Sequence, residues 1–392
     1  MEAKKIRRGL ALEGGGARGS YHMGVCKAYL ERGYEFDGFV GTSIGAINAA
    51  MLASGGFEKA LELWESIELD QLFDQEYLDA LKLDKNSPTS LRTAVKKLFV
   101  DRGVDHSKIK KFLASYIIEE KVRASGCDFG LVTFSINELK PYEIFLKDIP
   151  EGQLIDYVFA SAKFLLLAAQ KIDDNRFFDG GIYNSCPINM LIDQEYDEII
   201  AVRTPGFQFF RRYDKSANVT LIEPKEGLGH FLSFGAENSR VNIKRGYCDA
   251  VRILDGLVGD DYYLEDDGLT SLVSKMLLLG EAVLGSISYF QNKSQDKRRV
   301  LLEQAIPEIA DFLDLDKNFT YEQFVLAVLE FVAIRKEIER FEVYNINAFC
   351  KLIKETPTPK SENILSKVGL KVSFDFFEKK SILIEEIAKL LI

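Results

Sequence analysis

The chain has 392 residues, 47% hydrophobic and 28% charged, the composition of a soluble globular protein with room for one large core and an appended subdomain. Its formal net charge of -10 argues against a nucleic-acid partner held by bulk electrostatics, and against attraction of the whole molecule to an anionic membrane. The cysteines (Cys26, Cys127, Cys186, Cys248 and Cys350) are scattered and form no C-x-x-C pair, so they suggest neither a disulfide framework nor a zinc site and fit a reducing, cytoplasmic compartment.

From the N-terminus, Met1 to Arg8 is basic but runs into Gly9 to Gly16 rather than an apolar stretch, so no signal peptide is expected. Gly9 to Glu13 reads as a strand, Gly14 to Gly19 as a glycine-rich turn, and Tyr21 to Arg32 as a helix. Phe36 to Gly41 is the next strand, followed after a second glycine-bearing turn by a helix over Ile44 to Ser54. Phe57 to Val122 is mostly helical by pattern and polar enough to be an insertion covering one side of a sheet, with Lys85 to Ser90 as its loop. Gly130 to Ser135, Arg176 to Asp179 and Glu198 to Arg203 complete the strands. The alternation predicts an α/β domain over 1–256, three layers α/β/α with a mainly parallel sheet. After about Leu257 the strands stop, and 257–392 reads as a helical extension with an acidic loop at Gly259 to Gly268 and a long amphipathic helix at Tyr321 to Phe341. Apolar runs such as Phe164 to Ala169 fall far short of the roughly 20 residues that span a bilayer.

Three motifs carry chemistry. Gly14-Gly15-Gly16-Ala17-Arg18-Gly19, between a strand and a helix, can present backbone N–H groups to an anion with no side chain in the way. The same spacing suits a dinucleotide pyrophosphate, with Glu35 and Asp37 about where a ribose-binding carboxylate would fall. Gly41-Thr42-Ser43-Ile44-Gly45 has the strand-turn-helix context of a nucleophile elbow, in which small neighbours let a serine take a strained conformation; a glycine turn with a capping serine is the plainer alternative. The pairing of the two loops favours the elbow, because a dinucleotide site has no use for a serine there. Phe177-Phe178-Asp179-Gly180-Gly181 ends a strand in a carboxylate suited to accept the Ser43 proton, although by itself it also reads as a turn aspartate before a Gly-Gly hinge.

In this order and at these separations, G-G-G-x-R-G, G-T-S-I-G-A and D-G-G with Asn184 and Pro187 beyond resemble the patatin-like phospholipases over roughly Arg7 to Pro205. Leu221 to Pro224 and Gly246 to Ala250 are similar to bacterial members. The resemblance implies hydrolysis of phospholipid or other acyl-ester lipids through a Ser-Asp dyad and an acyl-enzyme; the sequence itself offers no metal-ligand cluster, and no cofactor or metal is expected. By position, Ser43 would be nucleophile and Asp179 base, with the Gly14 to Gly19 loop as oxyanion hole, its donors the amides around Gly15, Gly16 and Ala17. Arg18 would fix the loop or meet a phosphate. Gly41, Thr42 and Gly45 would shape the elbow, and Gly180 and Gly181 the Asp loop. Ala160-Ser161 opens a block similar to the family's, but Leu165 stands where a proline is common, which leaves the acyl-pocket wall open. Of His22, His106 and His230, the last would complete a Ser-Asp-His order; the dyad is preferred because His230 has no supporting motif. Phe207 to Arg212 combines aromatics with cations as an interfacial loop would, yet a solvated strand end with core phenylalanines is the preferred reading, and transient peripheral membrane contact is the second one. Alternative functions are a non-catalytic or partner-gated lipid-binding regulator and a nucleotide-binding protein.

Overall fold

A computed structural model describes residues 5–72, 107–162, 170–172, 175–206, 209–291, 296–359 and 374–392. The chain divides into two compact units, Met1–Ala250 and Val251–Ile392. His106, Lys85 to Ser90, Leu165, Phe207 and Gln208 lie outside the described residues.

The first unit is built on an eight-stranded sheet. β1 (Arg8–Leu12), β2 (Gly38–Thr42), β3 (Asp128–Ser135), β7 (Glu198–Val202) and β8 (Val219–Ile222) form a parallel ladder in the order β3-β2-β1-β7-β8. Continuous apolar runs such as Leu10 to Leu12 and Ile199 to Val202 are buried throughout, as strands covered on both faces must be. Ala11, Val40, Val132, Ile199 and Ala201 pack with Ile188, Met190 and Leu191 of the short helix Ile188–Ile192. The helices Ile44–Ala53 and Leu154–Ser161 also pack on the sheet, giving the expected three-layer α/β/α arrangement.

Three antiparallel strands were not all expected: β4 (Lys140–Phe145) and β6 (Asn175–Asp179) both pair with β3, and β5 (Gln170–Ile172) pairs with β6. Their pairing fixes the site. Gly130, Leu131 and Val132 pair with both β2 and β4, whereas Thr133, Phe134 and Ser135 pair with both β6 and β4. A strand has two edges, so β2 and β6 must share one, end to end. β2 runs up to Thr42 opposite Val132, and β6 runs down to Asp179 opposite Thr133. The two strand ends therefore face each other one residue step apart along β3, about 3.3 Å of rise.

Within the expected insertion, Phe57–Ser66, Leu69–Leu72, Ser107–Tyr116 and Glu119–Ala124 are helical.

The second unit has its own core, in which Tyr262, Phe290, Phe324, Phe349 and Phe377 are buried. It is mainly helical, but strands do not stop at Leu257: β9 (Tyr263–Glu265) and β10 (Val343–Asn345) form a short parallel pair. At three residues each, they are too short to give a period-2 signal. The expected amphipathic helix is Tyr321–Arg335, opened by a Thr320/Gln323 capping box. It ends before Phe341, with Glu337 at φ 56 just beyond it. Nor is it amphipathic: residues from Phe324 to Ala333 are buried on nearly all sides, which makes it the unit's central helix.

Candidate active site

Ser43 sits between β2 and the helix Ile44–Ala53 at φ 58, ψ -125, a region that non-glycine residues rarely adopt. Close approach of three backbones holds it there. A Cβ on Gly41 would lie 2.2 Å from the Gly45 backbone, and one on Gly45 would lie 2.2 Å from Leu12 O. The turn is pinned from below: Ser43 N–H donates to Ser161 Oγ at 3.0 Å, and the Ser161 hydroxyl donates to Val132 O at 2.7 Å. Ser161 is fully buried, and its positioning role was not legible beyond its place in the Ala160-Ser161 block. Ser43 is 5% exposed, and among the described residues no hydrogen bond engages its Oγ, to Asp179 or to any other group. Contacts of this kind are often long before substrate binds.

The glycine loop enters the same edge because β1 and β2 are parallel neighbours, with Leu12 opposite Gly41. Its amides are not equivalent. Gly14 N–H donates to Ser185 O at 3.0 Å, Ala17 N–H to Phe231 O at 2.8 Å, and Arg18 N–H to Gly15 O at 3.3 Å. Among the described residues no hydrogen bond engages the amides of Gly15 and Gly16. Gly16 has φ 59 and lies so close to Phe231 that a Cβ would stand 2.2 Å from its carbonyl oxygen. Arg18 serves loop shape: Nε donates to Gly229 O at 2.9 Å and Nη1 to Pro205 O at 2.6 Å, while burial lowers its pKa. Beneath the loop, Glu13 is 2% exposed and collects four donors: Ser185 Oγ at 2.7 Å, Thr204 N at 2.6 Å, Arg203 Nε at 3.2 Å and Arg203 Nη2 at 3.3 Å. Sequence reading took Glu13 only as a strand end; its partners are more than 170 residues away and leave no local signal.

Asp179 is fully buried at the end of β6, its Oδ1 accepting Gly181 N–H at 2.8 Å to open the turn Gly180–Ile182. Gly180 is required there, since its Cβ would fall 2.3 Å from Val132 O, the same carbonyl that Ser161 binds. The chain beyond ties the motifs together. Thr42 Oγ1 donates to Asn184 O at 2.8 Å, and Ser185 O receives Gly14 N–H. Elbow, glycine loop and Asp loop thus converge on one edge of the sheet.

His22 is fully buried, with Nδ1 3.1 Å from Asn48 Nδ2; burial holds its pKa down to about 3. His230 sits in the loop whose Gly229 and Phe231 carbonyls brace the glycine loop, and its Nδ1 accepts Leu232 N–H at 3.3 Å. Burial and, secondarily, Arg18 lower its pKa. Neither histidine hydrogen-bonds Ser43. Next to the Ser43 turn lies an apolar cavity of about 70 Å³, lined by Ile44, Ile47, Trp64, Phe112, Phe159 and Phe234 among others. Asn48 crosses its wall, donating to Gly19 O at 2.9 Å and accepting Trp64 Nε1–H at 3.0 Å. Phe209 is not the expected core phenylalanine: it is 70% exposed, and its backbone is laced to the Asp loop through Ser185 N and Gly181 O. Phe210 does pack against the core, under Arg203. Among the described residues no group of His, Cys, Asp and Glu could hold a metal ion, and no helix is long and apolar enough to cross a membrane.

The Patatin-like phospholipase family model matches residues 10–192. Among curated proteins, the chain is similar to one named probable lipid hydrolase from Invertebrate iridescent virus 6, 24% identical over 238 residues, covering 56% of this chain and 78% of the relative. It is 27% identical over 235 residues to an uncharacterized protein of Acanthamoeba polyphaga mimivirus, covering 46% of this chain and 62% of the relative. Among solved structures, VipD from Legionella pneumophila aligns at TM-score 0.42 and 14% identity, over 99% of this chain and 92% of that one.

Proposed function

We propose, from the premise that residues 10–192 belong to the patatin-like phospholipase family, that this protein is a lipid acyl hydrolase acting on acyl esters of phospholipids or lysophospholipids. In this reading Ser43 is the nucleophile, Asp179 the base, and the Gly15 and Gly16 amides the oxyanion donors. The observation that carries it is the end-to-end meeting of β2 and β6 on one edge of β3, which brings the residue after Thr42 level with the partner of Asp179.

Ser43 Oγ attacks the ester carbonyl as Asp179 takes its proton, and the tetrahedral oxyanion rests on the two unengaged amides. Collapse expels the alcohol, which takes the proton back, and leaves an acyl group on Ser43; water activated at Asp179 then releases the fatty acid. An aspartate is a weak base, so the oxyanion donors carry much of the rate. The apolar cavity beside Ser43 suits the start of an acyl chain. Exposed Phe209 and Ile182, next to the Asp loop, suit contact with an aggregated lipid surface.

The test is fatty-acid release from p-nitrophenyl acyl esters and mixed phospholipid vesicles by wild type and Ser43→Ala, followed by mass spectrometry. Release lost in the variant is the expected result; equal release by both proteins overturns the assignment. Flotation with such vesicles is expected to weaken in Phe209→Ser.

A further inference from the structure

The cluster under the glycine loop does more than fill space. Gly14 C=O and Gly15 N–H belong to one peptide unit, which is planar and trans, so the two bonds point in opposite directions. Whatever grips the carbonyl on one side aims the amide on the other. The grip is Thr204, whose Oγ1 donates to Gly14 O at 2.5 Å. Thr204 stands directly against the loop, since a Cβ on Gly15 would lie 2.6 Å from its Oγ1. It is itself immobilised: it is 1% exposed, and its own N–H donates to Glu13 Oε2 at 2.6 Å. The second polar group of Gly14, its N–H, donates to Ser185 O, and Ser185 is held by Glu13 Oε1 through its hydroxyl. Both polar groups of Gly14 therefore terminate on residues that the same buried carboxylate anchors.

We infer that Thr204, anchored by Glu13, is a positioning residue that aims the Gly15 N–H at the developing oxyanion. The inference rests on the reading of Ser43 as nucleophile and Gly15 as donor. Thr204 touches no reacting atom; it acts by orienting a donor that does. Removing an oxyanion donor outright costs about 100- to 1000-fold in turnover, so a donor retained but no longer aimed is expected to cost about 10- to 100-fold.

The experiment compares wild type, Thr204→Val, Thr204→Ser and Ser43→Ala. Valine matches the shape of threonine without its hydroxyl, whereas serine keeps the hydroxyl. Each protein is reacted with a fluorophosphonate and weighed intact, assayed on p-nitrophenyl butyrate for kcat and KM, and examined by infrared spectroscopy as an acyl-enzyme carrying a 13C carbonyl. Thr204→Val is expected to lose about 10- to 100-fold in kcat with KM within about threefold, and to shift the acyl carbonyl stretch to higher wavenumber as polarisation is lost. Thr204→Ser is expected to restore most of kcat and the wild-type band. A role in packing alone would lower the melting temperature without moving the carbonyl band. Wild-type kcat and an unmoved band in Thr204→Val overturn the inference, as does a serine variant no better than valine. Should valine not fold, Thr204→Cys, with its weak thiol donor, carries the same expectations. Failure of the underlying reading looks different: a wild-type enzyme that the fluorophosphonate does not label at Ser43, or whose hydrolysis survives Ser43→Ala.

Discussion

Gly45→Ala adds one methyl group where the structure has no room. The new Cβ would lie 2.2 Å from Leu12 O, 2.8 Å from Leu12 C and 2.9 Å from Glu13 O, all of them backbone atoms that no side-chain rotation can move aside. Restoring ordinary contact requires the end of β1 and the head of the helix Ile44–Ala53 to separate by about 1 Å, which carries the glycine loop away from Ser43. A misplacement of about 1 Å in a catalytic constellation costs about 100-fold in rate. The stability cost is smaller. Overpacking of this kind costs about 1–3 kcal/mol, offset by about 1 kcal/mol because alanine favours a helix over glycine. The net loss of about 0–2 kcal/mol corresponds to a fall of several degrees at most in the melting temperature of a unit this size. The assay is kcat/KM on p-nitrophenyl butyrate beside a thermal melt, with Gly227→Ala, where nothing lies within 4 Å of the added Cβ, as control. A Gly45→Ala protein that hydrolyses at the wild-type rate refutes the argument that this close approach aligns the two loops.

Asp179→Asn keeps an oxygen to accept Gly181 N–H but cannot take a proton, and is expected to lower kcat by about 100- to 10,000-fold, whereas His230→Ala keeps most activity; the reverse pattern in the same ester assay would replace the dyad with a histidine mechanism. Burial holds the His22 pKa at about 3 in the folded unit against an ordinary 6.5, so the folded state binds fewer protons between those values and stability falls as pH drops from about 6.5 toward 3. Melts from pH 7.5 to 4 should show a shallower acid decline in His22→Gln than in wild type; parallel curves would disprove the effect. Glu330 has the opposite sign. Burial raises its pKa from 4.5 to about 7 although its Oε1 accepts the N–H groups of Asp260, Asp261 and Tyr262, so the folded state binds the extra proton and stability falls as pH rises from about 4.5 through 7. Amide exchange of residues 251–392 at pH 5 and pH 7.5 should differ in wild type and become nearly equal in Glu330→Gln; an unchanged difference in the variant would assign the pH dependence elsewhere.

The three motifs were legible because each is a local demand of the backbone. Gly16 at φ 59, Gly41 and Gly45 against neighbouring main chain, and Gly180 against Val132 O all leave a mark in residue type at the place where the constraint acts. The parallel strands β1, β2, β3 and β7 were legible for a similar reason: burial on both faces writes an unbroken apolar run into β1 and β7, whereas β8, only partly buried over Val219 to Leu221, was not read as a strand. What joins the motifs was not written locally. That β6 runs antiparallel and shares an edge of β3 with β2 follows from strand pairing between distant segments, and a five-residue strand reads alike in either direction. The Glu13 anchor, the Ser161 brace and the Thr204 grip on Gly14 join residues 118 to 191 positions apart. Helix Tyr321–Arg335 was misread as amphipathic because its surroundings, not its own pattern, determine how many of its faces are covered. The sequence by itself determined which chemical groups the chain offers and which local conformations they take. Only the tertiary structure decided which groups meet, because register and sheet order are set by packing summed over the whole domain.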